Sequence, residues 1–154
     1  MKNEIDKYKE SLKSIHERRN RWESDTKNQI ITSLTNINKQ FDLDWKFEIN
    51  DNIKNRESIS LSFNNTSSGL LDKDINQTLN YEKIGGSLTF SQSYNGLIYI
   101  IITYPKIENI LECEPKSKLL KTMEPKVIAG QTIRQNVTEF LKETTSWENS
   151  NGFN

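Results

Sequence analysis

Ser87-Leu88-Thr89-Phe90-Ser91-Gln92-Ser93-Tyr94-Asn95-Gly96-Leu97-Ile98-Tyr99-Ile100-Ile101-Ile102-Thr103-Tyr104 is the stretch that decides the fold. Leu88 and Phe90 alternate with Ser87, Thr89 and Ser91, the period-two pattern of a strand with one wet face. Tyr94-Asn95-Gly96 then supplies a tight turn, because Asn and Gly both tolerate the positive φ angles of a type I′ hairpin. Residues 97–104 return as a nearly unbroken apolar run before Pro105. A run of that kind belongs inside a sheet, so Ile100, Ile101 and Ile102 are all expected to be buried.

The flanking segments extend this sheet. Trp45, Phe47 and Ile49 alternate with Asp44, Lys46 and Glu48, and Ile59, Leu61 and Phe63 alternate with Ser58, Ser60 and Ser62. These are two amphipathic strands joined by a hairpin loop over residues 50–55. Residues 64–81 are polar and read as a long connection with a short helical turn near 70–79. A further strand is expected at 118–123, between Pro115 and Pro125. Beyond it Ile133, Val137, Phe140, Leu141 and Trp147 line one face of a C-terminal helix that begins near Gln131 or Thr132, after Gly130.

At the other end Ile5, Tyr8, Leu12, Ile15 and Trp22 recur in steps of three and four, with Arg19 in the one vacant position. The stripe resumes at Ile30, Leu34, Ile37 and Phe41, displaced by one position as a stutter displaces it. A break capped by Ser24 or Asp25 is one reading. A continuous helix over 2–39 is preferred, because nothing between Glu23 and Gln29 is Gly or Pro. The fold class is therefore α+β: an antiparallel sheet of four or five strands with a long N-terminal helix and a C-terminal helix. Residues 1–147 read as one domain, with 1–41 a helical arm and 42–147 the sheet plus C-terminal helix, and 148–154 read as a flexible tail.

Composition narrows the function classes. A chain of 154 residues can bury roughly 70% of its unfolded surface. Its 21 basic and 21 acidic side chains cancel, which argues against a polyanion such as nucleic acid as the main partner. One cysteine and one histidine permit neither an internal disulfide nor a Cys/His zinc site. The N-terminus lacks the apolar core of a secretory signal, and no stretch approaches a membrane span. The expected location is the cytoplasm, and heavy Asn, Lys and Ile usage fits an AT-rich bacterial or phage genome. The sequons at Asn64, Asn65, Asn76 and Asn136 follow from that composition.

No chemistry-bearing pattern emerges. His16 has Glu17 beside it but no nucleophile motif, and the acids flanking Cys113 would raise its thiol pKa, the wrong direction for a nucleophile. Ser91-Gln92-Ser93 lacks the nucleophile elbow, and Gly85-Gly86 lacks the lysine of a phosphate loop. Glu112 with Glu114, and Asp72 with Asp74, have no partner motif for metal or sugar chemistry. Arg18, Arg19 and Arg21 beside Trp22 are diluted by Glu17, Glu23 and Asp25, and read as a solvated helix face. No cofactor is implied.

The anomaly is geometric. One face of the sheet is laid out in Ser and Thr, yet residues 97–104 are apolar on both faces, so a hydrophobic stripe must lie in that polar field. The long helix has the first claim to cover it, and a dimer the second. The leading expectation is a non-enzymatic protein–protein interaction module, a homodimer or an accessory subunit of a small bacterial or phage assembly, with Tyr8, Leu12, Ile15 and Trp22 as its seam. An alternative is a binder of a small ligand such as a nucleotide, on a face made by Ser60, Ser62, Thr89, Ser91, Tyr99 and Tyr104. A third is an enzyme whose acids and tyrosines meet in an arrangement that sequence does not show.

Overall fold

A computed structural model describes residues 1–71, 73, 80–108 and 116–150. Helix α1 (Lys2–Arg21), a π-helical segment (Trp22–Thr26) and α2 (Lys27–Phe41) follow one another without interruption. The continuous reading of the N-terminal helix holds. The displaced stripe has a specific cause: the Lys27 N–H reaches back five residues to the Trp22 carbonyl, where an α-helix would reach back four. The π-turn thus absorbs one extra residue and brings Trp22, Thr26, Ile30, Leu34 and Ile37 onto one buried line. Asp42, left-handed at φ 50°, ends the rod.

Strands β1 (Lys46–Asn50), β2 (Ser58–Ser62), β5 (Ser87–Gln92), β6 (Ile98–Thr103) and β8 (Ser117–Met123) form an antiparallel sheet in the order β1-β2-β5-β6-β8. A smaller antiparallel sheet has the order β3-β4-β7, from β3 (Thr66–Leu71), β4 (Asn80–Ile84) and β7 (Lys106–Ile107). A short 3-10 turn (Pro125–Val127) leads to α3 (Gly130–Ser150). The inward residues Ile59, Leu61, Leu88, Phe90, Ile98, Ile100 and Ile102 meet Ile30, Leu34 and Ile37 of α2 and Ile133, Val137 and Phe140 of α3. Phe63 stacks on Phe140 with ring centroids 5.2 Å apart, and Trp45 meets Phe63 edge-on at 5.7 Å.

Several expectations are corrected. Where a long connection was expected, Thr66–Leu71 and Asn80–Ile84 are strands. Ser67-Ser68-Gly69 has no alternation to detect, since β3 is bulged between Ser67 and Leu70 and held by pairing, including a hydroxyl bond from Ser68 to the Tyr81 carbonyl. The expected turn near 70–79 is strand at Leu70 and Leu71, and residues 72 and 74–79 lie outside the described residues. Ile100 and Ile102 are fully buried, but Ile101 is only half-buried, because it points to the opposite face of β6. The hairpin turn is centred as expected, yet only Gly96 has a positive φ, 83°, while Asn95 does not. The Gly96 N–H bonds the Ser93 carbonyl at 2.9 Å, so a turn followed by a left-handed glycine replaces the I′ geometry. Leu141 is exposed rather than on the buried face of α3. Residues 148–150 continue α3, where Glu148 pairs with Lys83; residues 151–154 lie outside the described residues.

Candidate interaction site

The N-terminal rod divides at Ile15. From there to Lys27 it is fastened to the sheet end by polar contacts. Arg18 grips both carboxylate oxygens of Glu124 at 2.9–3.1 Å and donates to the Asn95 carbonyl at 3.2 Å. Arg19 donates to the Tyr94 carbonyl at 2.7 Å and lies 5.1 Å over the Tyr94 ring. Gly96 is pressed so closely against α1 that a Cβ there would meet the Arg18 Cβ at 2.5 Å. Asn95 holds the turn itself, its side-chain oxygen accepting from the Leu97 N–H at 3.0 Å and the Ser93 hydroxyl at 2.6 Å.

Deeper in, Trp22 is fully buried, and its indole N–H donates at 2.9 Å to the buried carboxylate of Glu57, which also takes the Lys27 ammonium at 3.0 Å. The Gln92 N–H reaches the Glu57 carbonyl at 2.8 Å, and the Glu57 N–H returns to the Gln92 side chain at 3.2 Å. Burial pushes the Glu57 carboxyl up, but the bonds from Trp22 and Lys27 and the lysine charge outweigh it, leaving it below the usual range. The bonds from Arg18, aided by its charge, hold Glu124 below that range too.

Before Ile15 the same stripe is covered by none of the described residues. Residues 1–13 are all exposed, with Ile5 at 44%, Tyr8 at 64% and Leu12 at 46%. At the root of this arm a groove of about 610 Å³ is lined by Lys7, Glu10, Ser11, Ser14, Ile15, Arg18 and Asn95. Of the expected seam, Tyr8 and Leu12 stand free and Ile15 is half-buried. Trp22 is a correction: the π-turn rotates it into the chain's own core, where Glu57 satisfies its N–H. Glu57, Glu124 and Arg18 carry the fastening, and sequence gives no local signal for it, because each contact spans 30 to 106 positions.

The Ser/Thr face exists. Ser60 lies opposite Thr89, Thr89 opposite Ile101, Ser91 opposite Tyr99, and Ser62 opposite Ser87. Ser60 and Thr89 hydroxyls bond each other at 2.8 Å, so that pair satisfies itself within the sheet. The helical rod was expected to cover this face but packs on the other side of the sheet; Tyr99 is exposed and Ile101 half-buried here. Tyr104 belongs to the other side. It packs on the core and donates at 2.7 Å to Glu143 of α3, which also accepts from Lys118 at 2.9 Å. A separate cleft of about 380 Å³ is lined by Leu43, Phe63 and Pro105 and by the paired Lys83 and Glu148.

Among the described residues no group of three or more His, Cys, Asp or Glu side chains could hold a metal ion, and no helix is long and apolar enough to cross a membrane. His16 is an exposed residue of α1. Cys113, Glu112, Glu114, Asp72 and Asp74 lie outside the described residues. Comparison of the chain with protein-family models, curated proteins and solved structures returns no match.

Proposed function

We propose that this protein is a non-enzymatic interaction module, an accessory subunit that offers the first half of α1 to a protein partner. The supporting observation is the split stripe. One helical line packs into the domain at Ile15 and Trp22, and continues uncovered through Leu12, Tyr8 and Ile5. A free helix of about 12–15 residues is marginal in water, so an arm of this length gains its order from the fastened half and from whatever covers it. The uncovered half, residues 1–14, carries four basic side chains (Lys2, Lys7, Lys9, Lys13) against three acidic ones (Glu4, Asp6, Glu10), so its apolar line and not its net charge is what a partner would read. The fitting partner is an apolar groove that takes one face of a helix.

A second arm of this chain fits less well. The domain lies beside the C-terminal end of the stripe, which leaves only an antiparallel pairing open. In that pairing Ile5 would meet Ile15 and Tyr8 would meet Leu12, but Lys9 would face Lys9. The test is a full-length Leu12→Glu variant. Its circular dichroism and melting should match the wild type, since Leu12 touches no core, while affinity for the natural partner, identified and purified, should fall at least about tenfold. An unfolded variant, or a chain without residues 1–13 that binds as well as the intact one, would refute the reading.

A further inference from the structure

We propose that the free edge of β1 is a self-association site, at which a second copy of this chain pairs antiparallel about a two-fold axis through Phe47. The two edges of the large sheet are unlike. The outer strand β8 carries Lys118 and Lys121 and has a register irregularity against β6 between Ile100 and Ile101, features that discourage further pairing. By contrast, β1 pairs with β2 in unbroken register from Lys46 to Asn50 and has neither proline nor bulge. Phe47 and Ile49 lie opposite the buried Leu61 and Ile59, on the helix-covered side, yet are 39% and 46% exposed. They form an apolar ledge at the border of the core.

Hydrogen bonding fixes which groups the edge offers. The Gln92 N–H bonds the Glu57 carbonyl and the Phe63 N–H the Gly86 carbonyl, so odd-numbered residues of β2 direct their main chain toward β5. Even-numbered Ser58, Ser60 and Ser62 therefore bond Asn50, Glu48 and Lys46. That leaves the N–H and C=O of Phe47 and Ile49 pointing out from the edge. With the axis at Phe47, the two Phe47 residues exchange main-chain bonds, and each Ile49 N–H meets the Trp45 carbonyl of the other copy. The Trp45 N–H is not needed, being already bonded to Asn38 at 3.2 Å.

Charge selects this register. An axis through Phe47 sets Lys46 directly opposite Glu48 of the second copy, and Glu48 opposite its Lys46. An axis through Glu48 would set the two Glu48 carboxylates face to face, and one through Ile49 would set both charges against asparagines. The segment is thus complementary to itself in one pairing only. The surface is independent of the arm.

Sedimentation of the full chain over a wide concentration range should show a monomer–dimer equilibrium. Lys46→Glu and Glu48→Lys, both on an exposed strand, should each weaken the dimer about tenfold or more, by turning two attractive cross-strand pairs into repulsive ones. An equimolar mixture of the two variants should recover a dimer at least as tight as the wild type, because every opposed pair is then oppositely charged. The Leu12→Glu dimer should be unchanged. A wild type that stays monomeric, a dimer indifferent to both charge changes, a mixture no tighter than its components, or a dimer abolished by Leu12→Glu would each overturn the proposal.

Discussion

Substituting Gly96 by alanine should damage the protein through two separable effects, and Gly69 provides the control that separates them. Both glycines are left-handed, at φ 83° and 80°. An alanine at either position bears a backbone cost of about 1–2 kcal/mol. Around Gly69 nothing lies within 4 Å of the new methyl, so Gly69→Ala should stop there. At Gly96 the methyl would sit 2.5 Å from the Arg18 Cβ and 3.3 Å from the Ile15 carbonyl oxygen. Both belong to the rigid body of α1, so overpacking adds about 1–3 kcal/mol. In a chain of this size 1 kcal/mol moves the melting temperature roughly 2–4 °C. Gly96→Ala should therefore melt roughly 2–12 °C below Gly69→Ala when both are followed by circular dichroism and urea titration. The methyl can be relieved only by levering α1 off the hairpin, which also breaks the Arg18–Glu124 grip. Gly96→Ala with Arg18→Ala should accordingly cost less than the two changes added together. Equal losses for Gly96→Ala and Gly69→Ala, or strict additivity with Arg18→Ala, would refute the close packing of hairpin and helix.

Other outcomes follow from the core and its charges. Ile100→Ala should cost about 2–5 kcal/mol and Ile101→Ala clearly less, since only the first empties a closed space; equal costs in denaturant titration would contradict the facing of β6. Glu57 and Glu124 both have folded-state pKa values below those of an unfolded carboxylate. Such groups add stability that is complete above the unfolded value and disappears as pH falls through the folded one. The urea midpoint should fall on acidification through the carboxylate range. Glu57→Gln, which removes the charge opposite Lys27, should lower the unfolding free energy at neutral pH by about 1–3 kcal/mol and flatten the acid slope; an unchanged slope would remove Glu57 from the balance.

Alternation at 87–104 and 58–63 was enough to place the central strands, because there the covalent pattern and the burial pattern have the same period. The helical rod was equally legible, including its displaced stripe, although only the Lys27–Trp22 bond shows how the displacement is accommodated. Strand β3 was not legible, since pairing rather than side-chain alternation makes it a strand. Trp22 misled because a tryptophan among charges reads as a surface anchor, and the acid that hides its N–H lies 35 positions away. Phe47 and Ile49 misled in the opposite sense: their pattern is that of a covered face, and their exposure depends on how far the helices extend over the sheet. Tyr104 shares the parity of Ile98, Ile100 and Ile102, so its inward placement was available from β6 alone.

The π-turn also ties the aim of the arm to the core. It takes up one extra residue between Trp22 and Ile30, so the side chains on either side of it stay on one line. Deleting one residue from 22–26 would restore plain α-helix and leave the arm aimed as before. Closing the turn without removing that residue would swing everything before it by about 100° around the rod axis, and would break the bonds of Trp22 to Glu57 and of Arg18 to Glu124. The compass direction along which Ile5, Tyr8 and Leu12 are presented is therefore held by contacts further down the rod, and cannot drift without a cost to the domain.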